Sequence, residues 1–379
     1  MSPAAFRLTA LGAFFLLVTA SLPGAQGAAT PPGPAAAPAA PAPLLRAAPE
    51  RPARSTAALA STSFGGIDHV SATDLAVWLG CTGAANDSAR KFTLTDKNNP
   101  ANRAELNADG REALVNGLRV FLGSPVLLRG GKLYVSRIDA ERCLAPLLRP
   151  AFGGVVPPPP KIIALDPGHG GRDDGTENKE LGLKEKTLTL DVSLRLKKLL
   201  EAAGYRVVLT RTEDRELSPR KEIDLALRAS FANRERADLF VSIHFNAATK
   251  DTQGTEVFTY APRMQHATDW WGQLTRDDPD LETGEQPANR FDSWNVALAA
   301  ALHRQLLQTL QTEDRGKKIA HWAVLKTLNC PGVLVEPAIL SNAAEARRAA
   351  RPEFRQQVAE ALAAGIRDYA ATLDSLRPR

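Results

Sequence analysis

From residue 161 onwards the chain alternates two apolar periods. KIIAL (161–165), RVVLTR (206–211), LFVSIH (239–244), GTEVFTY (254–260), AVLKTL (323–328) and GVLVEPA (332–338) are short runs rich in β-branched and aromatic residues. Each predicts a strand. Segments with helical spacing lie between them. In LKEKTLTLDVSLRLKKLLEAAG, Leu188, Val192, Leu196 and Leu199 form one stripe, and Gly204 supplies the stop. Ser218 and Pro219 suit the N-cap and first turn of a helix over RKEIDLALRASFANRE. DSWNVALAAALHRQLLQTL predicts another helix, and a last one starts near Asn342, with Glu345 three residues on. This alternation predicts an α/β fold: a mostly parallel sheet with helices on both faces.

The residues before 161 follow a different pattern. Residues 62–150 predict a small α+β accessory domain. IDHVSATDLAVWLG is a strand followed by a short helix capped by Ser71. KFTLT, EALVNGLRVFL and PVLLRGGKLYVS follow, with Gly130-Gly131 marking a hairpin, and IDAERCLAPLL closes the region as a helix. Two breaks flank this module. Residues 28–61 are dominated by Ala and Pro, as in TPPGPAAAPAAPAPLL, and cannot bury a core. Residues 151–160 end in four consecutive prolines, a stiff spacer. Residues 1–27 read as a signal peptide: Arg7, the apolar run 8–22, then a small-residue site at Ala25 and Gly27. That run is shorter than the about 20 residues a membrane span needs. No Cys precedes Cys81, which argues against a lipid anchor.

Composition narrows the function. The 379 residues are 44% hydrophobic and 23% charged, with a net charge of +5. The excess is mild and scattered, without an aromatic-rich basic run. It favours anionic surfaces and argues against nucleic acid. The cysteines are Cys81, Cys143 and Cys330, an odd number. Cys81 and Cys143 share the accessory region and are a candidate pair; Cys330 reads as a small buried residue.

Four polar residues stand where packing alone explains them poorly. His169, in DPGHGG, follows the first buried strand, where glycines let backbone approach a ligand. A phosphate loop is the alternative for the glycines at 170–175, but Thr176 occupies the place of its lysine. Glu185 extends the inward stripe of its helix and is costly there unless paired or metal-bound; the alternative is a frayed first turn that favours an acid. His244 ends LFVSIH on the face of Phe240 and Ser242, where a rim histidine is the plain alternative. Glu336 directly follows three apolar strand residues, with a buried pair to an arginine as its alternative. All four converge on one edge of one sheet, and separate explanations do not account for that. Two His and a Glu suit zinc, which polarises a carbonyl and lowers the pKa of a water toward about 7. A further carboxylate then suits proton transfer. No HExxH helix or GxSxG elbow is present.

Together, DPGHGG (166–171), EKTLTL (185–190), LTR (209–211), ANRERADLFVSIHFNA (232–247) and VLVEPAILSN (333–342) resemble the zinc N-acetylmuramoyl-L-alanine amidases called amidase 3. The resemblance covers residues 161–375. It implies a cell-wall hydrolase with one Zn2+ per chain, ligands at His169, Glu185 and His244, and a catalytic Glu336. It implies peptidoglycan as partner, a periplasmic or secreted, wall-associated location, and no membrane span once the signal is cleaved. A protein activator is a further expected partner. Asp173 matches the family pattern near the metal and is expected to hold the glycine loop; separately, Asn246 is expected to orient the His244 loop, and His321, just before AVLKTL, is a candidate to reach the cleft. Arg228 and Asn233 match positions that brace the helix before LFVSIH, while His266 and His303 read as surface residues. After Glu336 the family has Gly and an aromatic, whereas this chain has Pro-Ala-Ile, which implies a reshaped peptide-side wall. Related cell-division amidases can cover the metal with a segment inserted like 262–291. Here that stretch carries Trp270, Trp271, Glu282 and several further acids, so a regulatory lid and a plain solvated loop are both expected readings. The accessory region resembles the domain named after the N-terminus of copper amine oxidases, through VNG and LYVS. The name does not imply copper, since His69 is the only histidine there. Another zinc wall hydrolase, a peptidase or deacetylase, fits the ligand set but not the resemblance across the whole of residues 161–375. An inactive wall-binding protein fits less well, because all four key residues are present.

Overall fold

The structure is a computed structural model that describes residues 59–268 and 281–377. The expected signal peptide, most of the Ala/Pro-rich stretch, and Trp270 and Trp271 lie outside the described residues. The accessory region begins with β1 (Thr62–Phe64), β2 (Ile67–Ser71) and helix α1 (Ala72–Trp78). Ser71 caps α1 by accepting the amide of Asp74 at 3.0 Å, as its sequence predicts. Then come β3 (Cys81–Ala85), β4 (Lys91–Asp96), β5 (Arg103–Asn107), β6 (Glu112–Val115), β7 (Leu118–Phe121), β8 (Leu127–Arg129) and β9 (Lys132–Ser136). The Gly130-Gly131 turn joins β8 to β9 as expected. The closing helix is irregular: α2 (Arg137–Asp139), a π turn (Ala140–Leu144) and α3 (Ala145–Leu148).

The remaining elements are β10 (Ile162–Pro167), a two-stranded ribbon of β11 (Glu177–Asn178) and β12 (Leu183–Lys184), α4 (Glu185–Ala202), β13 (Arg206–Leu209), α5 (Lys221–Arg234), β14 (Leu239–Ile243), β15 (Thr255–Tyr260), α6 (Asp292–Leu310), β16 (Asp314–Ala320), α7 (Ala323–Lys326), β17 (Gly332–Glu336), α8 (Ala343–Ala349) and α9 (Pro352–Ser375). Strands β13, β10, β14 and β17 pair in that order, all parallel. β15 pairs antiparallel to β17, and β16 parallel to β15. α4, α6 and α9 bury one face, where Leu188, Val192, Leu196, Leu298 and Leu362 meet Leu239, Val241 and Ile243. Ala229 and Ala232 of α5, and Val324 and Leu325 of α7, cover Phe240, Phe258 and Leu334 on the other. This is the expected α/β fold with helices on both faces.

Several local expectations are corrected. α5 starts two residues after Pro219, with Arg220 at its N-cap and no side-chain cap. Asp224 in its first turn reaches back instead, accepting the amides of Leu217 at 2.6 Å and Ser218 at 3.2 Å. AVLKTL is not a strand; its first four residues are the short helix α7. A strand absent from the sequence reading, β16, runs through the charged DRGKKIA. His266 and His303 are buried, not on the surface, and His303 Nε2 lies 2.6 Å from Asp314 Oδ1. Cys81, Cys143 and Cys330 are all buried free thiols, so the candidate pair does not form here.

The accessory strands continue the catalytic sheet. β7 pairs with β16 at Lys317 and Val120, giving an eleven-stranded sheet, while β1, β2, β9 and β8 form a separate one. The Pro-rich stretch packs along α6, with Trp294 Nε1 donating to the Val155 carbonyl at 2.9 Å. No helix among the described residues is long and apolar enough to cross a membrane.

Candidate metal centre and its cleft

His169, Glu185 and His244 come together at the C-terminal edge of the parallel strands. His169 follows β10, His244 follows β14, and Glu185 opens α4. His169 Nε2 and His244 Nδ1 each lie 3.0 Å from Glu185 Oε1. One potential ligand atom from each residue lies within 4.8 Å of the others. Zinc bonds of 2.0–2.1 Å imply a tetrahedral edge of about 3.3 Å, so two imidazoles and a carboxylate at these separations fit that metal. Among the described residues this is the His, Cys, Asp and Glu group close enough to hold an ion.

The sequence builds this convergence through close backbone approach and buried charge. A Cβ at Gly168 would run into the His244 ring. A Cβ at Gly175 would lie 2.6 Å from Glu185 Oε2 and 2.7 Å from His169 Cδ2, and Gly175 itself has φ +67°. His169 also has positive φ, 62°, a strained state for a non-glycine residue. Two buried arginines hold that loop. Arg228 donates to Asp166 Oδ1 at 2.9 Å, to the Pro167 carbonyl at 3.0 Å and to the His169 carbonyl at 2.9 Å. Arg211 donates to the Pro167 carbonyl at 3.0 Å, the Gly168 carbonyl at 2.9 Å and the Lys186 carbonyl at 2.7 Å. Arg228 therefore braces the His169 loop, not only its own helix. Asn233 ties α5 to the segment after α7, donating to the Thr327 carbonyl and accepting the Asn329 amide.

Protonation follows from these contacts. Burial pushes the Glu185 carboxyl up, but hydrogen bonds from His169 and His244 and their charges outweigh it, leaving it well below the usual range. Oε1 also accepts the Phe245 amide at 2.9 Å and Oε2 the Thr176 amide at 2.7 Å. Glu336 has the opposite balance. Burial, then the negative charges of Glu185 and Glu256, push it well above the ordinary carboxylate range, against the pull of Lys318.

A cleft of about 480 Å³ is lined by His169, Glu185 and His244 together with Glu336, Asp173 and Asn246. Asp173 Oδ2 lies 3.0 Å from His169 Nδ1. Asn246 bonds to Glu256, which also accepts Arg315 Nε at 3.1 Å and pairs with Lys318. Glu256 faces Glu336 across the β15–β17 register. The sequence reading missed this residue, although an acid inside the apolar run GTEVFTY was a readable signal. Asp166 was missed as well; it is fully buried and also accepts Thr210 Oγ1 at 2.6 Å and Ser242 Oγ at 2.8 Å. His321 does not line the cleft; its ring stands edge-on to Tyr260 at 5.8 Å. Glu282 is taken up by Tyr260 and Lys326 and is likewise not part of the cleft wall.

The sequence pattern of the N-acetylmuramoyl-L-alanine amidase family matches residues 163–368, more than half of the chain. The chain belongs to this family. As a family member it is 34% identical over 230 residues to the N-acetylmuramoyl-L-alanine amidase AmiC of Escherichia coli, a match covering 56% of this chain and 53% of that protein. It is 30% identical over 219 residues to the germination-specific N-acetylmuramoyl-L-alanine amidase of Bacillus subtilis, covering 55% and 79%. The chain thus spans about half the length of the AmiC relative. A solved N-acetylmuramoyl-L-alanine amidase from Clostridium difficile 630 is 27% identical with a TM-score of 0.45, covering 56% of this chain and 98% of that one.

Proposed function

We propose that this family member hydrolyses the amide between N-acetylmuramic acid and the L-alanine of the stem peptide in peptidoglycan. We place Zn2+ on His169, Glu185 and His244, and the proton-transfer role on Glu336. The observation that carries this reading is the convergence of His169 Nε2, His244 Nδ1 and Glu185 Oε1 in a cleft that Glu336 also lines. When bound, zinc supplies a Lewis acid that polarises the scissile carbonyl and acidifies a water. Glu336 takes a proton from the attacking water and returns it to the leaving L-alanine nitrogen. Burial, then the negative charges of Glu185 and Glu256, push its pKa up, and a cation held on the three neighbouring side chains would pull it back towards the ionised form that can accept a proton. Glu256, held by Asn246, Arg315 and Lys318, fixes the strand edge from which Glu336 projects. The amino-terminal segment fits export, and a periplasmic or secreted location at the wall follows. The accessory region then serves as a wall- or activator-binding module.

The test is digestion of purified peptidoglycan with zinc-loaded protein, followed by mass analysis. Free stem peptides with an unmodified L-alanine amine, lost with a chelator and restored by zinc, are expected. Cuts within peptides, or released acetate, would overturn the assignment in favour of a peptidase or deacetylase.

A further inference from the structure

The cleft that His169, Glu185 and His244 line also has apolar lining. Leu225 of α5, Leu334 of β17, and Trp322, Ala323 and Val324 at the start of α7 supply it. Trp322 stays 39% exposed, an unusual state for an indole in a folded domain. It is not loose: Phe258 packs against it at a steep angle, with centroids 5.8 Å apart at 79°, so a partly exposed indole is held in place in the same cleft as His169, Glu185 and His244. Lys221 lies one helical turn before Leu225 and lines both this cleft and a second one, as does Asp173. The lining therefore combines charged and apolar side chains.

We propose that Trp322 is a specificity-determining residue on which the N-acetylmuramic acid ring of the substrate stacks. This inference rests on the reaction proposed above. In that substrate only a lactyl ether separates the sugar ring from the scissile carbonyl, so a bond cut at the ligand cluster puts the sugar against an adjoining wall. Pyranose rings present apolar C–H faces, which gain from an aromatic face and lose against carboxylates. The stem peptide carries free carboxylates and amides, whose desolvation on an apolar wall is costly. The sugar thus belongs on Trp322 and the peptide carboxylates toward Lys221.

The test uses zinc-loaded protein carrying Glu336→Gln, so that ligand is bound and not consumed. Two compounds share the scissile bond: a disaccharide muropeptide, and the same peptide bearing only a D-lactoyl group. Calorimetric dissociation constants are compared with and without Trp322→Ala and Trp322→Phe. Stacking predicts that Trp322→Ala weakens muropeptide binding roughly tenfold, leaves the lactoyl peptide within about twofold, and that Trp322→Phe recovers most of the loss. Equal weakening for both compounds, or no weakening for either, overturns the inference. Turnover by the unsubstituted protein is scored separately. Failure to cleave a muropeptide that it binds through Trp322 would sink the proposed reaction and leave the stacking site standing.

Discussion

At the residue scale the proposed mechanism divides the site into side chains that would hold zinc and one that would transfer a proton. His169→Ala removes one of three converging donors. It is expected to lose zinc together with activity, which native mass spectrometry of the purified protein reads directly. Glu336→Gln has nearly the same shape but cannot take up a proton. It should retain a full zinc equivalent and lose about 10²–10⁴-fold in turnover, the usual contribution of a general acid–base group. A loss below about tenfold would remove Glu336 from that role. Gly175 offers a finer test, because the space beside it is filled by two of the three converging side chains. Alanine there places a methyl 2.6 Å from Glu185 Oε2 and 2.7 Å from His169 Cδ2, and the positive φ adds strain. Gly175→Ala should weaken zinc affinity measured by competition with a chromophoric chelator. An unchanged affinity would mean that the ligand cluster tolerates displacement.

At the scale of elements, legibility tracked how local the cause was. Strands β10, β14 and β17 and helices α4 and α6 were readable because their apolar periods are intrinsic, and the polar residues closing those periods marked the site. β16 was not readable. DRGKKIA looks like a solvated run, yet Asp314 is held by His303, while Arg315 and Lys318 pair with Glu256. Its charges are satisfied by partners distant in sequence. α7 was misread for a related reason: AVLKTL has strand composition, but Val324, Leu325 and Leu328 are buried against the apolar face of Phe240 and Phe258. The start of α5 was misplaced because Asp224, tied to Arg228 at 2.7 Å, took over the amides that a capping serine would not reach. Arg228 joins three elements at once: α5, the end of β10 and the His169 loop. Its loss would leave Asp166, fully buried, without its ion-pair partner. Arg228→Met should destabilise the fold by about 3–5 kcal/mol in urea unfolding, the usual result of breaking a buried pair. Arg228→Lys should rescue little, since an ammonium cannot span the same set of acceptors. Near-native stability in the lysine variant would show that charge alone suffices.

At the scale of the whole molecule, residues 59–150 and the catalytic sheet form one packed body. β7 adds to β16; Arg119 donates to Asp314 from backbone and side chain at 2.9 Å each; and Val296 of α6 belongs to the accessory core. A shared sheet and core predict one cooperative unfolding transition in calorimetry, whereas two resolved transitions would show independent domains. The seam also carries a titratable group. Asp292 of α6 is buried, and burial pushes its carboxyl up to about 6 despite Arg142 of the accessory region at 2.7 Å and a hydrogen bond from Asn289. Its folded pKa exceeds the unfolded value, so the folded state binds more protons between the two. Its contribution is therefore fully present below about 4 and is lost as pH rises through about 6. Two pKa units correspond to on the order of 2–3 kcal/mol. Other carboxylates, such as Asp166 and Asp173, are held below their usual range and push stability the other way, so the seam's share shows only as a difference. Asp292→Asn keeps the shape without the ionisation. Relative to the unsubstituted protein, the variant should gain stability between pH 4 and pH 7, measured as a difference in urea midpoints. A difference that stays flat across that window would mean that Asp292 ionises freely and that the seam is open to solvent.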